Sequence, residues 1–239
     1  MPEGLRRLPA CQGPREGDGV IRPRAVLFDC DGVLADSEGL VNRIVAEDLT
    51  VRGWRLSAEE ARETFLGLAA PDMLPMIEAR VGPLPPRWMH DLSRTIAAAM
   101  QRELLAVPGA VAAVQAVAAA GLAVAVASNS GRAELVSKLD RLGLAKAFGP
   151  RIFSFEDVAR PKPAPDMYRA AAAACGAAPA DCVVVEDSLL GARAGIAAGC
   201  RVLGFTRETD ASVLAAVGAV PFARMDDLPR LLGLQGLAA

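Results

Sequence analysis

The stretch Arg24-Ala-Val-Leu-Phe-Asp29-Cys-Asp31-Gly32-Val-Leu-Ala-Asp36 decides how the rest of the chain is interpreted. Residues Ala25 to Phe28 are an unbroken apolar run, which predicts a short strand buried on both faces. Side chains two positions apart on an extended backbone point the same way, so Asp29 and Asp31 should share one face at the strand's carboxyl end. Carboxylates this close repel each other, so one interpretation is that they share a cation or a proton. The alternative is that they are two solvated acids beside a turn. Gly32 permits a sharp turn and the close approach of a ligand.

Bulk composition limits the class of protein. The chain has 239 residues, enough for one large domain or a core with an insert. A net charge of −2, a pI near 5.6 and an aromatic content of 4% argue against a nucleic-acid partner. No signal peptide or uninterrupted membrane-spanning stretch is apparent, which predicts no membrane partner. We expect a monomer or a small homo-oligomer.

The cysteines and the histidine exclude several kinds of site. The five cysteines are odd in number and never spaced as CxxC, so we expect neither a disulfide framework nor a structural zinc site. Reduced thiols of this kind predict a cytoplasmic location. The five are Cys11, Cys30, Cys175, Cys182 and Cys200. The single histidine, His90, lies on a predicted helix far from any candidate serine nucleophile. A Ser-His-Asp triad or a histidine-rich metal site is therefore not expected.

The order of predicted elements indicates an α/β fold with an insert. Residues 1–22 resemble a flexible leader. Residues 37–107 contain only helical patterns and predict an inserted α-helical cap, with a capping box at Ser57. From residue 108 buried strands alternate with helices, including a strand predicted over Arg151 to Phe155. This alternation predicts a mostly parallel sheet made of residues 23–36 and 108–239.

Polar groups follow three of the predicted strands, where parallel sheets gather their ligands. They are Asp29 and Asp31, Ser128 and Asn129, and Glu186 and Asp187, with Lys162 on a proline-rich loop. Oxygen-rich groups of this kind suit Mg²⁺, with Asp29, Asp187, Glu186 and a carbonyl of Asp31 as candidate ligands. Ser128, Asn129 and Lys162 are candidate phosphate-binding residues. Asp29 could attack phosphorus, and Asp31 could donate and then accept the proton.

Four segments, in order, resemble the motifs of the haloacid dehalogenase-like (HAD) hydrolase superfamily. They are Phe28-Asp29-Cys-Asp31-Gly32-Val-Leu, Ser128 after a buried strand, Lys162 in Arg-Pro-Lys-Pro, and Glu186-Asp187-Ser. The resemblance covers residues 24–232. It implies a Rossmann-like core with a helical cap inserted after the first motif. It also implies an Asp29 nucleophile, an Asp31 acid/base, phosphate anchors at Ser128 and Lys162, and a metal ligand at Asp187.

Within that superfamily the chain is most similar to the branch of beta-phosphoglucomutase and sugar-phosphate phosphatases. The position of the mutases' cap histidine is Val41 here, and that of their cap arginine corresponds to Ala70. Both departures favour an Mg²⁺-dependent phosphatase acting on a small phosphorylated metabolite. A sugar phosphomutase and a non-catalytic phospho-ligand-binding protein remain the alternatives. Arg94 is the candidate substrate-binding residue of the cap.

Overall fold

The computed structural model describes residues 22–65 and 70–234 of the chain. The predicted leader, residues 1–22, lies outside this range except for its last residue. Within the described residues no helix is both long and apolar enough to cross a membrane.

Six parallel strands form one sheet in the order β3-β2-β1-β4-β5-β6. They are β1 (Ala25–Phe28), β2 (Ala123–Ala127), β3 (Ile152–Phe153), β4 (Cys182–Glu186), β5 (Arg201–Phe205) and β6 (Val220–Phe222). Every residue of β1 is fully buried, with Val26 and Phe28 in the core on one face and Ala25 and Leu27 in the core on the other. The predicted Rossmann-like α/β fold is confirmed.

Helices cover both faces of the sheet, because the strand order runs outward from β1 in both directions and right-handed crossovers on the two sides place their helices on opposite faces. On one face lie α5 (Ala110–Ala119), α6 (Arg132–Arg141), α7 (Ala145–Phe148) and α11 (Leu228–Leu231). On the other lie α8 (Asp166–Ala174), α9 (Leu189–Ala198) and α10 (Ala211–Ala216). Phe28 stands opposite Val126 of β2 and Val185 of β4, so the polar residues after these strands emerge at the same edge.

Four consecutive helices between β1 and α5 share a hydrophobic cluster of their own. They are α1 (Ser37–Val51), α2 (Ala58–Phe65), α3 (Ala70–Val81) and α4 (Trp88–Glu103). The capping box before α2 is present, since Ser57 Oγ accepts from Glu60 N (3.1 Å) and Glu60 Oε2 accepts from Ser57 N (2.7 Å). That residues 37–107 act as a cap on the remaining core stays a prediction.

The strand predicted over Arg151 to Phe155 is shorter than expected. It ends at Phe153 because Ser154 caps a 3₁₀ turn, accepting from Glu156 N and donating to Asp157. The short helix α7 was not predicted. Its four residues are too few to show a helical period in sequence.

Candidate active site

The predicted strand-end groups line one cavity of about 310 Å³, here called the strand-end cavity. Among its lining residues are all seven groups predicted from the strand ends and the proline-rich loop: Asp29, Asp31, Ser128, Asn129, Lys162, Glu186 and Asp187. The aligned ends of β1, β2 and β4 explain this convergence. The site therefore occupies the position expected for ligand binding in a parallel sheet.

Lys162 links the two carboxylates nearest the sheet. Its Nζ donates to Asp29 Oδ1 (2.5 Å) and Glu186 Oε1 (2.7 Å), and it lies 4.7 Å from the centre of the Tyr168 ring. Burial lowers the pKa of this amine, but Asp29 and Glu186 outweigh burial and raise it well above its usual value. Lys162 is therefore a fixed positive charge inside the site.

Asn129 fixes the backbone of Lys162. Its Oδ1 accepts from Lys162 N (3.1 Å), and its Nδ2 donates to Lys162 O (3.2 Å). The side chain predicted to bind phosphate is thus already engaged with the loop. Asn129 joins the end of β2 to the loop that carries Lys162, and its role in phosphate binding stays a prediction.

Glu186 has a hydrogen bond at each of its four acceptor positions. Oε1 accepts from Lys162 Nζ and from the Tyr168 hydroxyl (3.0 Å), and Oε2 accepts from the amide and hydroxyl of Ser188 (both 2.9 Å). A carboxylate offers about four lone-pair sites, so these contacts saturate it. A Cβ on Gly191 would lie 1.5 Å from Glu186 Oε1, so only glycine leaves room for this side chain.

Asp31 is surrounded by donors that the sequence analysis missed. Lys138 Nζ donates to Oδ1 (2.6 Å), as does Ser37 Oγ (2.5 Å), and Ser130 Oγ donates to Oδ2 (2.9 Å). Ser128 Oγ lies 3.3 Å from Oδ2. Burial raises the pKa of Asp31, but the Lys138 ammonium and these hydroxyls outweigh burial and hold the pKa below its usual value.

Asp29 and Asp187 carry more negative charge than Lys162 alone offsets. Burial, with the carboxylates of Glu186 and Asp31, raises the pKa of Asp29 to about 7 despite the opposing effect of Lys162. Burial, Asp29 and Glu186 raise the pKa of Asp187 to about 9. One oxygen from each of Asp29, Glu186 and Asp187 lies within 4.8 Å of the others. An oxygen-only donor set short of positive charge fits a hard divalent cation.

Gly32 allows the turn after Asp31 to lie against Asp187. Its φ is +76°, and a Cβ at this position would lie 1.9 Å from Asp187 Oδ2. Any other residue would clash with this carboxylate and strain the backbone. The sharp turn expected at Gly32 is present, and the group that approaches it closely is the Asp187 carboxylate.

A second cavity of about 380 Å³, here called the interhelical cavity, lies beside the first. It shares Asp31, Glu38 and Ser130 with the strand-end cavity. The rest of its lining comes from α1 to α4 and from Glu134 and Lys138 of α6. The two cavities therefore adjoin at the three shared residues.

Arg94 and His90 lie elsewhere. Both are exposed on α4, and Arg94 lines neither cavity. The inward side of α4 carries Leu92 and Ala99, and Arg94 is two positions after Leu92, about 200° around the helix. Arg94 thus lies outside the lining of both cavities, and its role in substrate binding stays a prediction.

Comparison with known proteins agrees with these motifs. The sequence model described as "haloacid dehalogenase-like hydrolase" matches residues 23–199. The chain belongs to this family. It is 29% identical to the 6-phosphogluconate phosphatase of Escherichia coli K12 over 217 residues, covering 90% of this chain and 97% of the relative. It is 32% identical to hexitol phosphatase A of the same organism over 206 residues, covering 84% and 91%.

Among solved structures, a HAD family hydrolase from Deinococcus radiodurans R1 with bound phosphate and sodium is similar to this chain. The TM-score is 0.80 and the identity 33%, covering 91% of this chain and 98% of that one. The resemblance stated from the motifs is confirmed. So is the prediction that this member of the HAD family is a phosphoric monoester hydrolase.

Proposed function

We propose that this HAD hydrolase releases phosphate from a small phosphorylated sugar or polyol, with Mg²⁺ bound and with Asp29 as the nucleophile. The observation that carries the proposal is the convergence of three buried side chains, Asp29, Lys162 and Asp187, around one cavity. A carboxylate nucleophile, a fixed cation and a second carboxylate are the groups that phosphoryl transfer through a covalent intermediate needs. The names of the relatives from Escherichia coli support a phosphorylated sugar or polyol as substrate.

The first step is the attack of an Asp29 oxygen on phosphorus. The bond between phosphorus and the ester oxygen breaks, and the phosphoryl group becomes attached to Asp29 as a mixed anhydride. Lys162, 2.5 Å from Asp29 Oδ1, is placed to hold the equatorial phosphate oxygens, and the Ser128 hydroxyl can donate to the same group. Glu186 and Asn129 keep Lys162 in place.

Asp31 handles the proton in both steps. Because Lys138 holds the pKa of Asp31 below its usual value, the resting carboxylate carries no proton. We propose that the proton enters with the monoanion of the phosphate ester, and that Asp31 passes it to the departing ester oxygen, so that the leaving group departs as a neutral alcohol. Asp31 then takes a proton from the water that attacks the phosphoryl group, which releases inorganic phosphate and restores Asp29. Acid/base assistance of this kind contributes about 10²- to 10⁴-fold in rate.

Asp29, Asp187 and the backbone carbonyl of Asp31 are the groups we propose as ligands of Mg²⁺. Glu186 was also predicted as a ligand, but its saturated oxygens favour a role in positioning Lys162. When bound, the ion would offset the negative charge of the phosphate and of the carboxylates, so that one anion can attack another. The uncompensated charge at Asp29 and Asp187 supports this set of ligands.

Hydrolysis is favoured over phosphomutase activity. Val41, at the position of the mutases' histidine, lines the interhelical cavity with an apolar side chain that cannot transfer a proton. Ala70 lies in α3, but its side chain is outside the described residues, so the second departure remains a sequence prediction. A cytoplasmic location and a monomeric or small homo-oligomeric state remain predictions as well.

The test is phosphate release from phosphorylated sugars and polyols and from an aryl phosphate, assayed with Mg²⁺ and after chelation. We expect turnover with Mg²⁺, at least about a hundredfold loss on chelation, and recovery when Mg²⁺ is restored. Calcium serves as the control, because it binds oxygen ligands but prefers longer bonds and higher coordination numbers. Undiminished turnover after chelation would contradict the role of the metal, and no turnover of any ester would contradict the proposed function.

The metal should also stabilise the protein in a pH-dependent way. Asp187 has a pKa of about 9 in the folded protein without metal, against a usual 3.8, so the folded state binds more protons between these values. The unfolding free energy of the metal-free protein should therefore fall as pH rises through this window. Mg²⁺ should raise Tm more at about pH 8 than at about pH 5.5. Calorimetry with and without Mg²⁺ tests this, with Asp187→Asn as the variant expected to lose the difference.

A further inference from the structure

We propose that the interhelical cavity selects substrates whose leaving group is uncharged, so that the phosphate is the substrate's only anionic group. The inference rests on the proposed function and specifies its substrate class. It follows from how the charges lining this cavity are paired.

The walls of the interhelical cavity are largely apolar. Its side chains include Val41, Val45, Phe65, Met73 and Met100. The cavity volume of about 380 Å³ is enough for a small sugar or polyol. An anionic group entering it would need a cation from the protein to replace its water.

Lys138 has no hydrogen-bond donor left to offer. Its ammonium donates to Asp31 Oδ1 (2.6 Å) and Ser130 Oγ (3.1 Å), and it pairs with Glu134 Oε1 (2.5 Å). An ammonium has three N–H donors, and these three contacts use them all. The two carboxylates around it also exceed its single positive charge.

Arg62 is the other cation of the lining, and it too faces two carboxylates. Its Nε and one terminal nitrogen bind Glu59, the shorter contact being 2.6 Å. Its other terminal nitrogen lies 3.8 Å from Glu208. Among the described residues of the lining, both positive charges are therefore already paired with carboxylates, and only one terminal nitrogen of Arg62 makes no hydrogen bond.

Glu38 adds a further negative charge where the two cavities meet. Burial, together with the carboxylates of Glu208 and Asp31, raises the pKa of Glu38, and Arg62 and Arg207 oppose this rise. A substrate hydroxyl next to Glu38 can donate a hydrogen bond to its carboxylate. A substrate carboxylate or second phosphate there would be repelled instead.

The test compares two substrates that differ at one carbon, glucitol 6-phosphate and 6-phosphogluconate, which end in a hydroxymethyl group and a carboxylate. We expect kcat/KM to be at least about tenfold higher for the polyol ester, since like charges brought together in a binding site are strongly disfavoured. Such a preference would mean that this protein differs in substrate from its relative named 6-phosphogluconate phosphatase. Equal values, or a preference for the acid, would overturn the inference.

A charge variant tests the physical cause. Glu134→Gln weakens one of the three contacts of Lys138 and removes one negative charge, so the preference for the polyol ester should shrink by about three- to tenfold. The control is Asp140→Asn, which removes the same charge from an exposed position of the same helix and should leave the ratio unchanged. An unchanged ratio in Glu134→Gln would overturn the electrostatic account. If no phosphate ester at all is hydrolysed, the proposed function fails, whereas hydrolysis of both esters without preference overturns only this inference.

Discussion

The Asp29→Asn variant is expected to lose at least about 10³-fold in kcat on every phosphate ester that the protein turns over. Asparagine has almost the same shape, and its amide oxygen can still accept a hydrogen bond from Lys162, so the cavity should keep its form. The amide, however, is a poor nucleophile and cannot form the mixed anhydride with phosphate. The loss should therefore appear in kcat rather than in the binding of substrate.

Three measurements separate this result from simple damage to the fold. Thermal unfolding of Asp29→Asn should occur at the same or a higher temperature, because the substitution removes a carboxylate whose burial raises its pKa to about 7. Inorganic phosphate should still bind in the presence of Mg²⁺. Rapid acid quenching of the native protein during turnover should yield a phosphorylated peptide that contains Asp29. A variant that keeps more than about a tenth of the native kcat would rule out Asp29 as the nucleophile.

The strand-end groups of the site could be predicted from sequence because each lies next to a strong local signal. Asp29 follows a four-residue strand that is buried on both faces, and Glu186 ends another. Parallel strands in register bring such ends to one edge, so the convergence needed no knowledge of loop geometry. The prolines on either side of Lys162 indicated that its backbone is held in place.

The surroundings of Asp31 and Glu186 could not be predicted, because they depend on how distant helices pack. Lys138 is 107 positions from Asp31, and it reaches the site only because Leu135 and Leu139 bury the same side of α6. A lysine within an amphipathic helix is ordinarily solvated, so the sequence carries no signal for this contact. Tyr168 had a weak signal as the chain's single tyrosine, near the start of the helix that follows Lys162.

The choice of Arg94 as a substrate-binding residue rested on residue type and not on helix geometry, and it stays a prediction. The same helical segment, residues 37–107, contains further arginines, among them Arg80, Arg87 and Arg102. These three and Arg94 are all exposed in the structure. The cation that does line the interhelical cavity is Arg62, one position after the buried Ala61 of α2.

Replacing Lys162 is expected to affect activity and stability together. Lys162→Met keeps the length of the side chain but leaves Asp29 and Glu186 buried without their cation. Breaking a buried ion pair on one side costs about 3–5 kcal/mol of unfolding free energy. Loss of a phosphate-binding donor should lower kcat/KM by at least about 10²-fold. Denaturant unfolding and steady-state kinetics measure the two effects, and Lys146→Met, at an exposed lysine of α7, is the matched control.

The double variant Asp29→Asn/Lys162→Met tests whether Lys162 stabilises the site through its positive charge. Removing the Asp29 carboxylate as well should restore part of the unfolding free energy, because one of the two orphaned charges is gone, while activity stays absent. Without Lys162 the remaining carboxyl groups should hold their protons to higher pH, so the stability loss of Lys162→Met should be larger at about pH 8 than at about pH 5.5. A loss that is the same at both values, and the same in the double variant, would mean that Lys162 stabilises the site through packing against Tyr168 rather than through its charge.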